Sequence, residues 1–401
     1  MTPFKAIEIT KDVYWVGATD WTIRNFHGYA THRGTTYNAY LIVDEKVTLI
    51  DTVKYDFREE MFARIASVID PRQIDYLISN HSELDHSGAI PYVKHLAQPE
   101  KIIASKMGAL TLKEHNLVGD DVQVVKDGET INLGKKTLKF FDTKMLHWPD
   151  SMFSYLTDER ILFSQDAFGM HLATAERFDD ELPFELLRRE TAKYYANILL
   201  PYSPMVKKLL SKLSAENVKP AMIAPDHGPV WRQDPSKPIE LYQHWADQKP
   251  VNKAVVVYDT MWNSTGKMAQ AIVDGLYEAG TEVVPMHMSS SHRSDAATEI
   301  LEAGALIVGS PTLNNNLFPT IADTLVYLKG LRRTGLIGAV FGSYGWGGEA
   351  FKQLEEYLTD MKVEIVSAPV KAKYSPQDED LQNCFTLGQN IGAELAKRIN
   401  Q

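Results

Sequence analysis

Four potential metal ligands, His81, Glu83, Asp85 and His86, fall within six residues of the stretch Asn80-His81-Ser82-Glu83-Leu84-Asp85-His86-Ser87-Gly88. This H-x-E-x-D-H pattern follows an apolar, strand-type run at residues 74–79 and precedes Ser87-Gly88-Ala89-Ile90-Pro91, which reads as a turn into a helix. The ligands are therefore expected on a loop at the carboxyl end of a strand. Alternate residues of an extended loop point the same way, so His81, Glu83 and Asp85 should converge while His86 reaches round the other side. These groups cannot satisfy two divalent ions alone. Three more acids and imidazoles arrive at the ends of distant apolar runs: His147 after residues 137–141, Asp166 after residues 161–164 and His227 after residues 222–225. A His or Asp at one strand end is commonly a cap or a solvated side chain, but the whole set in one chain points to a metal centre. Carboxylate among imidazole shifts the preference from zinc toward iron or manganese.

Three loops nearer the carboxyl end suit a different ligand. The first holds Thr260, Met261, Trp262, Asn263, Ser264 and Thr265, where hydroxyls and backbone N–H groups at a helix amino terminus make a phosphate site without a basic side chain. It lacks G-x-G-x-x-G, which argues against a dinucleotide. The second holds Pro311, Thr312, Leu313, Asn314 and Asn315, and the third Ser343, Tyr344, Gly345, Trp346, Gly347 and Gly348. Small residues there let backbone approach a flat ring, and Tyr344 and Trp346 can stack on it.

The elements that must position these groups follow two regimes. Up to about residue 240, short alternating runs such as 13–16, 39–43 and 47–51 predict a mostly antiparallel sheet. Residues 56–66 predict a helix, residues 154–163 a hairpin, and residues 186–213 a largely helical stretch broken near Pro201 and Pro204. Strands in sets with helices between and outside them fit an αββα sandwich. A composition shift at residues 242–250 is read as a linker, dividing the chain into domains 1–249 and 250–401. Beyond it, strand runs at 254–258, 282–286, 305–309, 336–341 and 364–368 alternate with helical patterns, the last at 378–399. That predicts a doubly wound five-stranded parallel sheet, whose ligand sits beyond the carboxyl ends of its strands.

The 401 residues carry a formal net charge of −10 and no basic cluster, which argues against nucleic acid. No leader-like segment or apolar run of membrane-spanning length is evident, so a cytoplasmic protein with no membrane partner is expected. One cysteine, Cys384, excludes an internal disulfide and any iron–sulfur or rubredoxin-type site built from this chain alone. Its helical setting reads as core packing.

The loop bearing His81 to His86, with the downstream His147, Asp166 and His227, resembles the signature of the metallo-β-lactamase superfamily, with Glu83 where a second His is usual. Thr260, Ser264 and Thr265 resemble the FMN-phosphate loop of flavodoxins, and the two later loops resemble their isoalloxazine loops. Together the two halves resemble the flavodiiron proteins, also called A-type flavoproteins or rubredoxin:oxygen oxidoreductases. The resemblance implies a metallo-β-lactamase-like domain followed by a flavodoxin-like one, reducing O2 to water, NO to N2O, or both. It implies two irons, one held by His81, Glu83 and His147 and the other by Asp85 and His227, with or without His86, bridged by the Asp166 carboxylate. His27, His171 and Tyr194 would line the substrate pocket. FMN would relay electrons from a separate donor such as rubredoxin, in a head-to-tail homodimer or dimer of dimers. Four electrons are needed for O2 and two for a pair of NO molecules, and two irons with a reduced flavin can store four. Two other readings remain open at this stage: a zinc hydrolase fused to a flavodoxin-like module, and a flavin sensor or carrier without metals.

Overall fold

In a computed structural model that describes residues 4–399, the runs rich in β-branched and aromatic residues form two sheets in the first of two compact units. The outermost residues of both expected domains, 1–3 and 400–401, lie outside the described residues. One sheet places β1 (Ile7–Thr10), β2 (Val13–Trp15), β3 (Tyr40–Ile42), β4 (Thr48–Ile50), β5 (Tyr76–Ser79), β6 (Lys101–Ala104) and β7 (Val122–Val124) side by side in chain order. Pairing is antiparallel from β1 to β4 and parallel from β4 to β7. The expectation of a mostly antiparallel sheet is thus corrected for its second half. There the chain crosses over through α1 (Arg58–Ile65), α2 (Leu84–Ser87), α3 (Ile90–Leu96) and α4 (Lys106–Glu114), and a crossover returns the next strand parallel.

The second sheet is β8 (Thr130–Asn132), β9 (Thr137–Asp142), β10 (Met152–Leu156), β11 (Ile161–Gln165) and β12 (Met222–Pro225). Its pairs are antiparallel except β11 with β12, which are separated in sequence by α5 (Phe184–Tyr194) and α6 (Ser203–Ala215). β9, β11 and β12 therefore run the same way, and their carboxyl ends open on one edge. Trp15, Tyr40, Ile50 and Ile78 from the first sheet pack against Phe140, Leu156, Ile161 and Phe163 from the second. Each such side chain contributes about 1.5–3 kcal/mol by leaving water, which makes the edge rigid enough to carry buried polar groups.

The second unit comprises His27–Ala30, Tyr195–Pro201 and the chain from His244 onward. The stretch expected as a linker, residues 242–250, is instead helical through Asp247, as the end of α7 (Ser236–Asp247), because Trp245 is buried and anchors it. The sheet of this unit has β13 (Lys253–Tyr258), β14 (Glu282–His287), β15 (Ala305–Gly309) and β16 (Ile337–Tyr344) in the order β14-β13-β15-β16, all parallel. The fifth strand, expected as one run over 364–368, is split. β17 (Glu364–Ile365) pairs with the start of β16, and β18 (Val370–Lys373) with its end. Pro369 stands between them, and proline has no N–H to give a ladder. Helices α8 (Ser264–Glu278), α9 (Arg293–Leu301), α10 (Pro319–Leu331), α11 (Glu349–Asp360) and α12 (Asp378–Ile399) complete the doubly wound unit. Cys384 is buried on α12 among Ile272, Leu387 and Ile391, as its helical setting implied.

Candidate functional site

The loop after β5 is held from below. Asp51 accepts from the Asn80 backbone N–H at 2.7 Å and from its side-chain amide at 2.9 Å, while the Thr52 hydroxyl donates to the His86 carbonyl at 2.6 Å. The loop is not extended throughout, because it turns into α2 at Leu84. This corrects the expectation that His81, Glu83 and Asp85 converge. His81 and Glu83 face one group with His147 and Asp166, whereas Asp85 and His86 face another with His227.

In the first group, His81 Nε2 lies 3.3 Å from both Glu83 Oε2 and Asp166 Oδ2. His147 Nε2 lies 3.3 Å from the same Glu83 oxygen and 3.1 Å from the same Asp166 oxygen. In the second, Asp85 Oδ2 lies 3.2 Å from the Nε2 atoms of His86 and His227. The other oxygen of Asp166, Oδ1, faces this group, at 3.3 Å from His86 Nε2 and 3.5 Å from His227 Nε2. One carboxylate thus divides its two oxygens between two sets of donors.

Two imidazoles turn Nε2 inward because an acceptor holds Nδ1 on the outside, and a third faces a carboxylate there without a hydrogen bond. His81 Nδ1 is 3.1 Å from Asp150 Oδ2, His86 Nδ1 is 3.4 Å from Asp226 Oδ2, and His227 Nδ1 donates to the Thr36 carbonyl at 2.5 Å. Such partners set tautomer and ring orientation at metal sites. The loop after β12 is fixed by the Asn38 amide, which donates to the carbonyls of Pro225 at 2.7 Å and Gly228 at 2.8 Å. Gly228 has φ +81°, and a Cβ there would come within 2.6 Å of Met170, so this turn requires glycine.

Burial opposes every charge in this site, yet Glu83, Asp85 and Asp166 are held below the ordinary carboxylate range. The imidazoles of His86 and His147 hold Asp166 well below the ordinary range, and those of His86 and His227 do the same for Asp85. Against the same burial, Asp85 and Asp226 raise His86. Burial, with Asp51 nearby, pushes Asp226 well above the ordinary range. Several of these atoms have neighbours at the right distance but no hydrogen bond of proper direction: Asp85 Oδ1, Asp166 Oδ2 and both ring nitrogens of His86. Buried donors and acceptors are normally satisfied. A dry cluster of ionised oxygens and inward-facing nitrogens therefore fits cations, and its mixed O and N donors fit iron or manganese better than zinc.

Tyr194, at the end of α5, donates its hydroxyl to Asp166 Oδ1 at 2.7 Å. His171 is buried with its ring centroid 4.7 Å from that of His227 and 5.0 Å from that of Tyr194, and its Nδ1 is 2.9 Å from the Thr35 hydroxyl. Phe26 lies with its ring centroid 5.0 Å from that of His171, and its neighbour His27 is not among the metal-ligand candidates of either group. His27 is exposed, with φ +51° in a short turn of a segment that packs with the second unit.

In the second unit, the loops after β13, β15 and β16 enclose a cavity of about 640 Å³. Met261, Trp262, Ser264, Pro311, Thr312, Leu313, Asn314, Asn315, Ser343, Tyr344, Gly345, Trp346 and Gly347 line it, whereas Thr260, Asn263, Thr265 and Gly348 do not. Trp262 and Trp346 are 91% and 88% exposed at its rim, an arrangement that a flat aromatic ligand would cover. The hydroxyls of Thr260 and Thr312 are buried without a hydrogen-bond partner, and Asn263 at the start of α8 makes no side-chain cap. Thr312 can meet a polar ring edge, and Ser264 with the N–H groups at the start of α8 can meet a phosphate, so the residues fit a flavin mononucleotide.

Two family models match the chain: the ODP family beta lactamases over residues 35–228 and the flavodoxins over residues 256–388. The nitric oxide reductase of Moorella thermoacetica is 47% identical, covering 97% of this chain and 99% of its own length. Among solved structures, the rubredoxin oxygen:oxidoreductase of Desulfovibrio gigas superposes with a TM-score of 0.97 at 46% identity, over 99% of this chain and 100% of that one. The flavodiiron protein of Giardia intestinalis superposes with a TM-score of 0.95 at 34% identity, over 99% and 98%.

The chain belongs to the flavodiiron protein family. It is an oxidoreductase built of a metallo-β-lactamase-like and a flavodoxin-like domain, which decides among the three readings that the sequence left open. Five residues of this flavodiiron protein were not singled out from sequence. Asp150 and Asp226 lie beside ligand candidates in their own loops, and that adjacency was an available signal. Thr35 carries no local signal. Glu349 and Tyr374 line the flavin cavity, Tyr374 by way of the split fifth strand. No helix among the described residues is long and apolar enough to cross a membrane.

Proposed function

We propose that this flavodiiron protein reduces O2 to water, NO to N2O, or both, at a carboxylate-bridged pair of irons, with electrons reaching the site through FMN from rubredoxin or a similar external donor. The observation that carries the reading is the division of Asp166 between two complete donor sets. His81, Glu83 and His147 would hold one ion, Asp85, His86 and His227 the other, and Asp166 both. His86 is included because its Nε2 faces the cluster and its Nδ1 faces Asp226. When bound, iron and flavin supply the redox chemistry and the store of four electrons.

The chain's own residues do the rest. The Asp150 carboxylate and the Thr36 carbonyl keep the imidazoles of His81 and His227 turned inward, and Asp226 stands 3.4 Å behind His86 Nδ1. Burial and the Asp166 charge push the Tyr194 pKa well above 10, so its hydroxyl remains a proton-bearing donor to that carboxylate. Burial, followed by the neighbouring His227, pushes His171 well below the usual imidazole range, leaving a neutral ring whose Nδ1 hydrogen-bonds with the Thr35 hydroxyl. Of the cavity residues, Ser264 would hold the flavin at its phosphate, and Tyr344 and Trp346 would meet its ring.

The domain division at residues 249 and 250 belongs to this reading, supported by the two family matches on either side of it. So does a head-to-tail homodimer, or a dimer of dimers, in which the flavin of one subunit serves the metal pair of another. Half-exposed Tyr55 and Leu84 beside the metal loop, and the exposed Trp262 and Trp346, support an interface. We place the protein in the cytoplasm, consistent with its one buried thiol.

The deciding experiment is metal and flavin content of anaerobically purified full-length protein, followed by O2 and NO consumption with reduced rubredoxin. About two irons and one FMN per chain, with turnover of either gas, are expected. Zinc in protein expressed with iron in excess would overturn the reading.

A further inference from the structure

The phosphate loop, residues 260–266, contains no Arg or Lys. Its grip on a phosphate must therefore come from how its hydroxyls and N–H groups are placed. Asp259, the fully buried residue just before it, follows β13 and collects donors from three separate parts of the unit. Its Oδ1 accepts from the Thr260 N–H at 2.7 Å and faces His287 Nε2 of β14 at 3.1 Å. Its Oδ2 accepts from the Ser289 hydroxyl at 2.7 Å and from the Thr320 hydroxyl, at the start of α10, at 2.5 Å. Nothing in this network is a ligand donor left vacant. The next residue, Thr260, stands outside the cavity lining, and the first hydroxyl of the loop that reaches the cavity is that of Ser264.

We propose that Asp259 is a positioning residue for flavin phosphate: it pins the backbone at Thr260 to β14 and α10, and so holds the loop that presents Ser264 and the N–H groups at the start of α8 to the phosphate. The inference rests on the reading of this unit as a flavin site. A buried negative charge close to a phosphate would ordinarily weaken binding. Here it is offset by the amino terminus of α10 and its hydroxyl, by Ser289 and by the adjoining His287. The role is therefore that of a many-armed acceptor rather than of a charge. Asparagine at 259 keeps an oxygen for the Thr260 N–H, and the two hydroxyls can rotate to use its amide. Alanine keeps none of this.

The test uses full-length protein stripped of flavin, titrated with FMN and, separately, with riboflavin, which lacks the phosphate, by quenching of flavin fluorescence. For Asp259→Ala the expected result is at least a tenfold loss of FMN affinity with riboflavin affinity within twofold of wild type. For Asp259→Asn, FMN affinity should stay within about threefold of wild type. Thr320→Val, which removes one arm and leaves the carboxylate, should weaken FMN severalfold and leave riboflavin unchanged, and it carries the test if the alanine variant does not fold. Equal losses for FMN and riboflavin, an Asp259→Asn defect as large as that of Asp259→Ala, or unaltered FMN affinity in Thr320→Val would each overturn the proposal alone. Wild-type protein that binds neither flavin would overturn the flavin reading and this inference with it.

Discussion

Replacing Asp150 by Asn removes one charge and changes almost nothing in shape. Three donors converge on Asp150 Oδ2: the Ser82 N–H and hydroxyl, both at 2.7 Å, and His81 Nδ1 at 3.1 Å. The carboxyl is buried, which works against its charge, but His81 and Ser82 outweigh burial and hold its pKa down at about 2. Because the folded value is depressed, the stabilisation from this charge is fully present above about pH 4 and fades as pH falls through the folded value. An Asn carbonyl in the same place can accept all three bonds, but as neutral ones. Charge-assisted bonds are roughly twice as strong, so the one to His81 should weaken by about 1–1.5 kcal/mol. At 1.4 kcal/mol per factor of ten, the donor set of His81, Glu83 and His147 should lose about tenfold in metal affinity. Asp150→Ala leaves the imidazole and serine donors without their acceptor and should approach a loss of about a hundredfold. The set of Asp85, His86 and His227 does not touch Asp150 and should hold its ion within about twofold of wild type, by the same arithmetic. The assay is competition between metal-depleted full-length protein and a chelator of known affinity for Fe(II) under anaerobic conditions, at pH 6 and at pH 8. One ion of the two should weaken, by the same factor at both pH values. Equal weakening of both ions, or wild-type affinity in Asp150→Ala, would refute the reasoning that links this carboxylate to one donor set through His81.

Tyr194→Phe removes a 2.7 Å hydrogen bond to the shared carboxylate. It should keep about two irons per chain while turnover falls about tenfold or more, since a bond to a charged group contributes about 1.5–3 kcal/mol; loss of iron on this change would instead mark the hydroxyl as structural support. His86→Asn should leave about one tightly held iron per chain by elemental analysis, because the other donor set does not use that imidazole; two irons retained at wild-type affinity would show that His86 is not a ligand. Gly275→Ala drives a Cβ into the Phe385 carbonyl where α8 crosses α12, so the flavodoxin-like unit should lose about 1–3 kcal/mol in denaturant unfolding. An unchanged midpoint would contradict that packing. Burial pushes the Cys384 thiol up to about 12, so it should resist a thiol reagent at pH 8 until the protein is unfolded. Rapid labelling of native protein would falsify this.

The sequence by itself determined which residue types stand at strand ends, because that follows from local periodicity: apolar runs of period two or continuous hydrophobicity end where His81, His147, Asp166 and His227 begin. The same local signal placed the three loops of the flavin cavity, since alternating strand and helix can close only as a parallel sheet with its ligand edge at the strand ends. The resemblance implied how the ligand candidates divide into two groups, but the geometry that enforces the division is tertiary. A single helical turn at Leu84–Ser87 rotates Asp85 and His86 away from His81 and Glu83, and nothing in four residues of sequence distinguishes that turn from an extended loop. The acceptors behind the imidazoles are equally non-local: Asp150 is 69 positions from His81, and Thr36 is 191 from His227. The resemblance implied pocket roles for both His27 and His171; His171 is buried against the His227 ring, whereas His27 is exposed in a turn next to Phe26, whose ring packs on both of those imidazoles. Hydrophobic pattern dictates where strands begin and end, whereas the pairing of one nitrogen with one oxygen requires the sheets to be stacked first.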